Sequence, residues 1–332
     1  VSAPAAAMSR GGALTGLDSI VTTRRFAASA PWRAALPPGA RLLYLEDLAP
    51  PAWKTALTRA LLRVLPRSWG EALFARGAAR GLDETAAVLF TGGADGRPKG
   101  VELTHLNLRA NSEMIREAYA FRPNEVILGN LPLFHSFGFA MTLWTPLLKG
   151  IAVAYHADPD DLAGVARFAR QARPTVLLGT PALLERYLAG VPADAFSGLR
   201  LVATGAQKLP PELTEAFERT FGARPLEGYG ATELSPVAAV NVPDRGPQEG
   251  TRPGTVGQPI PGQALRVVDP VTFELLPPGN EGLLLVKGAN VMKGYVGEPG
   301  LSAAALRDGW YVTGDIVVMQ REGFVVWLRR AP

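Results

Sequence analysis

Between Asp83 and Gly230 the sequence alternates short apolar runs with stretches whose apolar residues recur every three or four positions. That alternation constrains the fold most, because parallel neighbouring strands need a crossover long enough to hold a helix. The runs AAVLFT (86–91), EVILGNLPL (125–133), IAVAYH (151–156), PTVLLGTP (174–181), LRLVATGA (199–206) and RPLEGYG (224–230) predict strands of a mainly parallel sheet. Between them, NLRANSEMIREAY, DLAGVARFARQA and PPELTEAFERTFG predict the helices. After DRGPQEGTRPG the pattern changes to β-runs and turns, ALRVVDP, GLLLVKG, GWYVTGD and GFVVWL, which predict a separate β-rich subdomain.

In such sheets ligands sit beyond the carboxyl ends of the strands. Four of the loops expected there carry unusual residues: a glycine loop after Phe90, LFHSFG, TGAQKL and GYGATE, which together suggest one shared site. The glycine loop, TGGADGRPKG from Thr91 to Gly100, is expected to precede a helix. Its glycines let backbone N–H groups converge, but Pro98 stands before Lys99 where a Walker loop needs Gly, and no dinucleotide fingerprint crosses it. Taken alone, it reads either as a phosphate cradle or as a solvated turn.

Composition excludes several classes. The 332 residues are 47% apolar, enough for two or three subdomains. No apolar run approaches the roughly 20 residues of a membrane span, and the first residues lack the pattern of a signal peptide. With no cysteine there is neither disulfide nor thiolate chemistry, which fits a cytoplasmic protein. The 34 basic and 30 acidic residues are too balanced for a nucleic-acid partner. The chain opens on Val1, and the expectation is a piece of something longer.

Taken together, FTGGADGRPKGVELTH, LPLFHSFG, TGAQKL, EGYGATELSPV, PGTVGQPIPG, GLLLVKGANVMKGY, GWYVTGD and GFVVWLRR resemble the AMP-forming acyl-activating superfamily in order and spacing. Within it, LPLFHSFGF, TGAQKL, LEGYGATELSPVAAVNVP, SIVTTRRF and YLEDL most resemble the acyl-acyl-carrier-protein synthetase half of bifunctional 2-acylglycerophosphoethanolamine acyltransferases, and the long-chain acyl-CoA synthetases. The resemblance implies an α/β fold: the layered parallel-sheet large domain of the acyl-activating fold plus a β-rich, distorted-barrel subdomain, with the C-terminal lid absent. It divides the chain into an N-terminally shortened core (1–245), a β-rich subdomain (246–328) and the start of a hinge (329–332).

The implied activity is ATP-dependent conversion of a fatty acid to acyl-AMP, then transfer to the phosphopantetheine thiol of acyl carrier protein or CoA. A carboxylate is already a nucleophile, so such a site needs alignment and charge neutralisation rather than a general base. By resemblance, Thr91, Gly93, Gly96 and Lys99 hold the β- and γ-phosphates of ATP. Gly205, Ala206 and Gln207 face the adenine, Tyr229 and Gly230 border it, Thr232 meets the α-phosphate, and Glu233 holds Mg²⁺. Asp315 and Arg330 meet the ribose, and His135 stands between nucleotide and acyl pocket, whose wall FGFAMTLWTPLL would supply. His135 in place of the aspartate of peptide-forming relatives favours an acid without an α-amine.

Each residue also has a plainer reading. Lys99 can be a solvated loop lysine, His135 a packing residue, Glu233 an exposed strand-end carboxylate, Asp315 a turn cap, Arg330 a frayed end, and FGFAMTLWTPLL a buried helix. Two departures bear on function: Gly92, Ala94 and Asp95 replace the hydroxyls usual in the glycine loop, and the chain stops at Pro332 where the family's lid would begin. These favour a catalytically silent binding module as the alternative. A third reading is peripheral contact with the inner face of the cell membrane, from Arg59, Arg63 and Arg67 in steps of four beside leucines, with Trp53 and Trp69 flanking and Pro66 interrupting.

Overall fold

In the computed structural model, residues 11–12, 14–29, 39–66, 69, 81–92, 98–244 and 246–331 are described, and they fall into two compact units. The first comprises residues 1–84 and 92–100. In it β1 (Ser19–Thr22) pairs in parallel with β2 (Arg41–Tyr44). Arg24 grips Asp47 at 2.5 and 2.6 Å and lies over the ring of Tyr44. Helix α1 (Ala52–Val64) buries none of its residues. It stops at Val64, as Pro66 requires; Arg67 lies outside the described residues.

The second unit, residues 85–91 and 101–332, contains the expected sheets. β3 (Thr85–Gly92), β4 (Pro98–Thr104), β5 (Val126–Gly129), β6 (Ala152–Tyr155), β7 (Val176–Gly179), β8 (Leu201–Thr204) and β9 (Pro225–Gly230) precede β10 (Val237–Val240) and β11 (Gln258–Pro259). A seven-stranded sheet runs in the order β11-β10-β9-β8-β7-β5-β6, parallel from β9 to β6 and antiparallel at the β10–β11 edge. Helices α2 (His105–Tyr119), α3 (Leu162–Ala172), α4 (Pro181–Gly190) and α5 (Pro211–Phe221) pack on it. Alternate strand residues serve opposite faces. Leu128, Leu177 and Val202 meet α3, α4 and α5, whereas Ile127, Val176, Leu178, Leu201 and Ala203 meet α2 and Met141.

One strand was misplaced by the sequence. β3, the AAVLFT run, is not in the parallel sheet. It belongs with β4 and β14 (Gly294–Tyr295) to a three-stranded sheet, and β4 intervenes before the helix expected straight after the glycine loop. The segment before Thr104 alternates, with Val101 and Leu103 buried and Glu102 half-buried, so it forms a strand. α2 begins only where Thr104 and Asn107 complete a reciprocal cap. The glycine loop therefore does not share a strand end with the other three loops. EVILGNLPL also ends early, at Gly129, where Asn130 and Pro132 leave the sheet.

The β-rich segment forms an antiparallel sheet of β12 (Ala264–Val268), β13 (Glu281–Lys287), β15 (Leu306–Arg307), β16 (Trp310–Met319) and β17 (Val325–Arg330). FGFAMTLWTPLL is helical, with a π-helical stretch over Phe139–Trp144. Ala140, Met141 and Thr142 are buried, while Leu147 and Leu148 are exposed.

Candidate functional site

β5, β8 and β9 deliver three loops to one cavity of about 180 Å³. Its polar lining comes from His135, Ser136, Gly205, Ala206, Tyr229, Gly230 and Thr232, and its apolar lining includes Tyr119, Met141, Val237 and Val240. Two glycines allow this approach. A Cβ on Gly138 would stand 2.2 Å from the Pro132 carbonyl, and one on Gly230 would stand 2.0 Å from the Pro236 carbonyl. Ala206 takes a left-handed φ of 69°, unusual for a residue with a Cβ.

The loop after β9 is held from several sides. The Ala231 N–H donates to the Pro236 carbonyl at 2.9 Å, and the Met292 N–H donates to the Glu233 carbonyl at 2.8 Å. Buried Asn290 donates to the Leu234 carbonyl at 2.6 Å, and the Ser235 hydroxyl donates to the Asn290 carbonyl at 2.8 Å. Asn111, fully buried on α2, exchanges hydrogen bonds with both backbone groups of Val237. These contacts fix where Thr232 and Glu233 point. The Thr232 hydroxyl donates to Ser136 Oγ at 3.0 Å, tying the β9 loop to the β5 loop. His135 Nδ1 accepts from the Phe137 N–H at 3.3 Å, leaving Nε2 to carry the proton of the neutral ring. The ring keeps an exposed edge, yet desolvation by its surroundings lowers its pKa and favours that neutral form.

A second cluster continues from Tyr229. Its hydroxyl donates to Asp315 Oδ2 at 2.6 Å; Arg330 donates to the same oxygen at 2.8 Å, and the Trp327 indole donates to Oδ1 at 3.0 Å. Asp315 is 5% exposed. Arg330 is not frayed: it lies in β17 and also donates to the Thr313 carbonyl at 2.8 Å. Burial, reinforced by the Asp315 charge, raises the Tyr229 pKa well above its ordinary value. Glu233 is buried rather than exposed, and the Tyr295 hydroxyl donates to its Oε1 at 2.8 Å. Burial first and the Glu233 charge second raise the pKa values of both Tyr295 and Tyr311.

Of the sequence-predicted residues, His135, Gly205, Ala206, Tyr229, Gly230 and Thr232 line the cavity, and Asp315 and Arg330 join it through Tyr229. Glu233 sits on the same clamped loop. Gln207 is exposed and outside the lining. Thr91 lies in β3 and is not among the lining residues, Lys99 lies in β4 within the first unit, and Gly93 and Gly96 fall outside the described residues. Sequence reasoning missed Tyr119, Asn111, Ser136, Asn290, Tyr295 and Trp327. Asn111 could have been suspected, since an Asn four residues after Asn107 on an apolar helix face needs a partner.

The family model described as AMP-binding enzyme matches residues 36–296. The chain belongs to the AMP-binding enzyme family. This AMP-binding chain is 34% identical over 245 residues to a long-chain-fatty-acid–CoA ligase of Bacillus subtilis, covering 73% of its own length and 43% of the relative. It is 35% identical over 248 residues to a feruloyl-CoA synthase of an Amycolatopsis species, covering 74% and 49%. Among solved structures it resembles a malonyl-CoA ligase with methylmalonyl-CoA and AMP bound, at a TM-score of 0.77 and 26% identity, covering all of this chain and 66% of that one. It spans about half the length of the curated relatives it matches.

Proposed function

We propose that this chain is the large-domain part of an acid–thiol ligase. It would activate a carboxylic acid, of the fatty acid class or near it, with ATP to give acyl-AMP, then pass the acyl group to the phosphopantetheine thiol of CoA or acyl carrier protein. The observation that carries this reading is the single cavity shared by His135, Tyr229, Gly230 and Thr232, with Asp315 and Arg330 linked to it. The acid's carboxylate attacks the α-phosphorus and pyrophosphate leaves. Thr232 presents its hydroxyl to the α-phosphate, Gly205 and Ala206 give a close backbone surface for the adenine, and Asp315 takes the ribose hydroxyls. Neutral His135 leaves the acid's negative charge free to attack while orienting it from Nε2. Thr91, Gly93, Gly96 and Lys99 hold the outer phosphates in this reading.

Mg²⁺, bound through the phosphates and one carboxylate, would neutralise charge on the departing pyrophosphate. Glu233 suits it, as a lone buried carboxylate with one oxygen bonded to Tyr295; among the described residues no group of three or more acidic or histidine ligands exists. The division into a core up to residue 245 and a β-rich subdomain beyond it belongs to the same proposal. Calorimetry with a non-hydrolysable acyl-AMP mimic tests the reading. Binding that Asp315→Ala removes supports it, and binding indifferent to that change puts the nucleotide elsewhere.

A second reading concerns α1. Trp53, Leu57, Leu61 and Leu62 are exposed, and Lys54, Arg59 and Arg63 share the helix with no acidic residue. From these exposed apolar and basic side chains we propose that α1 lies on an anionic lipid surface; among the described residues no helix is long and apolar enough to cross a membrane. Co-sedimentation with anionic vesicles no greater than that of an Arg59→Glu, Arg63→Glu variant excludes this.

A further inference from the structure

The two oxygens of the Glu233 carboxylate are treated differently by the protein. Oε1 accepts from the Tyr295 hydroxyl at 2.8 Å. Oε2 accepts no hydrogen bond from a described residue and yet keeps contact with solvent, so it is the oxygen left for a cation.

Tyr295 is itself held from several sides. Its N–H donates to Ser302 Oγ at 2.8 Å, β14 pairs it with Val101 of β4, and its hydroxyl shares a hydrogen bond with Tyr311. Tyr311 is buried on β16 and shares a face with Asp315, since alternate residues of a strand point the same way. The strand that brings Asp315 to Tyr229 therefore also steadies the phenol that grips Glu233. Met292, shortly before Tyr295 in the chain, donates its N–H to the Glu233 carbonyl at 2.8 Å. One short segment thus fixes both the backbone and the side chain of Glu233.

A carboxylate held in this way meets a cation through one oxygen. Chelation through both requires the group to turn until Oε1 also faces the cation, and that turn stretches or breaks the charge-assisted bond from Tyr295. Cations differ in what they ask of a carboxylate. Mg²⁺ demands near-octahedral geometry and is served by one or two carboxylates with phosphate and water, whereas the larger Ca²⁺ takes roughly six to eight oxygens and often a bidentate carboxylate.

We propose that Tyr295 is a positioning residue that holds Glu233 to coordination through one oxygen and so makes the nucleotide site prefer Mg²⁺ to Ca²⁺, with Tyr311 steadying it from behind. The proposal rests on the assignment of Glu233 to the cation under the proposed function, and goes beyond it in naming what sets the choice of cation.

The test uses α,β-methylene ATP, whose link between the α- and β-phosphates resists cleavage, titrated calorimetrically into the chain with MgCl₂, CaCl₂ or EDTA; AMP in EDTA is the reference. The wild type should bind the analogue at least about tenfold tighter with Mg²⁺ than with Ca²⁺. In Tyr295→Phe the Mg²⁺ complex should weaken about tenfold, the usual scale for losing an outer partner of a metal ligand, and the Ca²⁺ complex less, so that the ratio falls at least about fivefold. Tyr311→Phe should move the ratio the same way by less. AMP in EDTA should bind both variants as it binds the wild type.

A ratio that Tyr295→Phe leaves unchanged overturns the proposal. So does a loss shared equally by both cations and by AMP, which marks a merely structural role. Wild-type binding that is equal or tighter with Ca²⁺ overturns it too, whether or not the variants fold. If AMP binds but the analogue responds to neither cation, Glu233 loses the cation and the nucleotide site stands; if nothing binds, the nucleotide site falls and this proposal with it.

Discussion

Tyr229→Phe should destabilise the free protein while leaving nucleotide binding intact or stronger. The reasoning begins at Asp315, whose carboxylate already accepts from Tyr229 at 2.6 Å, Arg330 at 2.8 Å and Trp327 at 3.0 Å. A carboxylate offers about four lone-pair sites, so roughly one remains for a ribose that presents two hydroxyls. Removing the Tyr229 hydroxyl opens a second and keeps the ring. The lost bond is charge-assisted and buried, and Asp315 keeps two donors, so the cost should lie near the low end of such bonds, about 1–2 kcal/mol. One additional ribose hydrogen bond of about 1 kcal/mol would strengthen AMP binding by roughly fivefold.

Asp315→Asn perturbs the other side of the pair. It weakens the acceptor for Tyr229 and Trp327 together, for an expected cost of about 2–4 kcal/mol; the Arg330 contribution is small because that side chain is 67% exposed and water replaces the carboxylate. AMP binding should fall at least about tenfold. Urea unfolding of the wild type, the two single variants and the double variant at pH 7.5 gives the coupling, expected above about 1 kcal/mol for groups in direct contact. Calorimetry with AMP gives the second readout. If Tyr229→Phe weakens AMP binding in step with its loss of stability, the hydroxyl supports the bound nucleotide rather than competing with it, and the reasoning fails.

Two further outcomes follow from single residues. Burial raises the Glu227 carboxyl from 4.5 to about 7, against the opposing Leu209 N–H and Lys208 charge; the folded state then holds a proton that the unfolded chain has lost, so stability is full below about pH 4.5 and declines as pH rises through 7, by about 1–3 kcal/mol after allowance for partial exposure. Glu227→Gln should flatten that decline and raise the melting temperature at pH 8 but not at pH 4.5, and parallel wild-type and variant profiles would show the burial argument to be wrong. Gly230→Ala puts a Cβ 2.0 Å from the Pro236 carbonyl, which must move along with the Ala231 bond it accepts; the expected cost is about 1–3 kcal/mol with loss of acyl-AMP mimic binding, and an unchanged urea curve refutes it.

The parallel sheet was legible because its strands are short apolar runs bounded by breakers. Every residue of β7 and β8 is buried, so periodicity within them is silent and only the flanking helices identify them. β3 misled because an apolar run reads the same at the edge of a separate three-stranded sheet as in a central parallel strand. The discriminating signal was the next segment, where Val101 and Leu103 alternate with Glu102 ahead of the Thr104 cap. Helix α4 went unread because its Pro181 resembles a strand terminator, although Thr180 caps the helix and Pro181 suits its first turn. Loop residues such as His135, Thr232 and Asp315 stood out by type and place. Their partners did not, because no local pattern brings Tyr229 to Asp315 across 86 positions, or Tyr119 of α2 to the cavity.

Under the proposed function, the parts of the cavity that meet the nucleotide are prepared to different degrees, and that bears on affinity. The loop carrying Thr232 and Glu233, which that reading gives to the phosphate and Mg²⁺, is clamped by Asn111, Asn290 and Met292, so little ordering remains to be done there. Asp315 already accepts three hydrogen bonds, so about one lone-pair site remains and a second ribose hydroxyl must take a place that Tyr229 or Arg330 holds. The first ribose hydroxyl then adds a bond and contributes affinity, whereas the second exchanges one bond for another and contributes mainly orientation. Under the proposed function, the gain expected for Tyr229→Phe comes from turning that exchange into a second added bond.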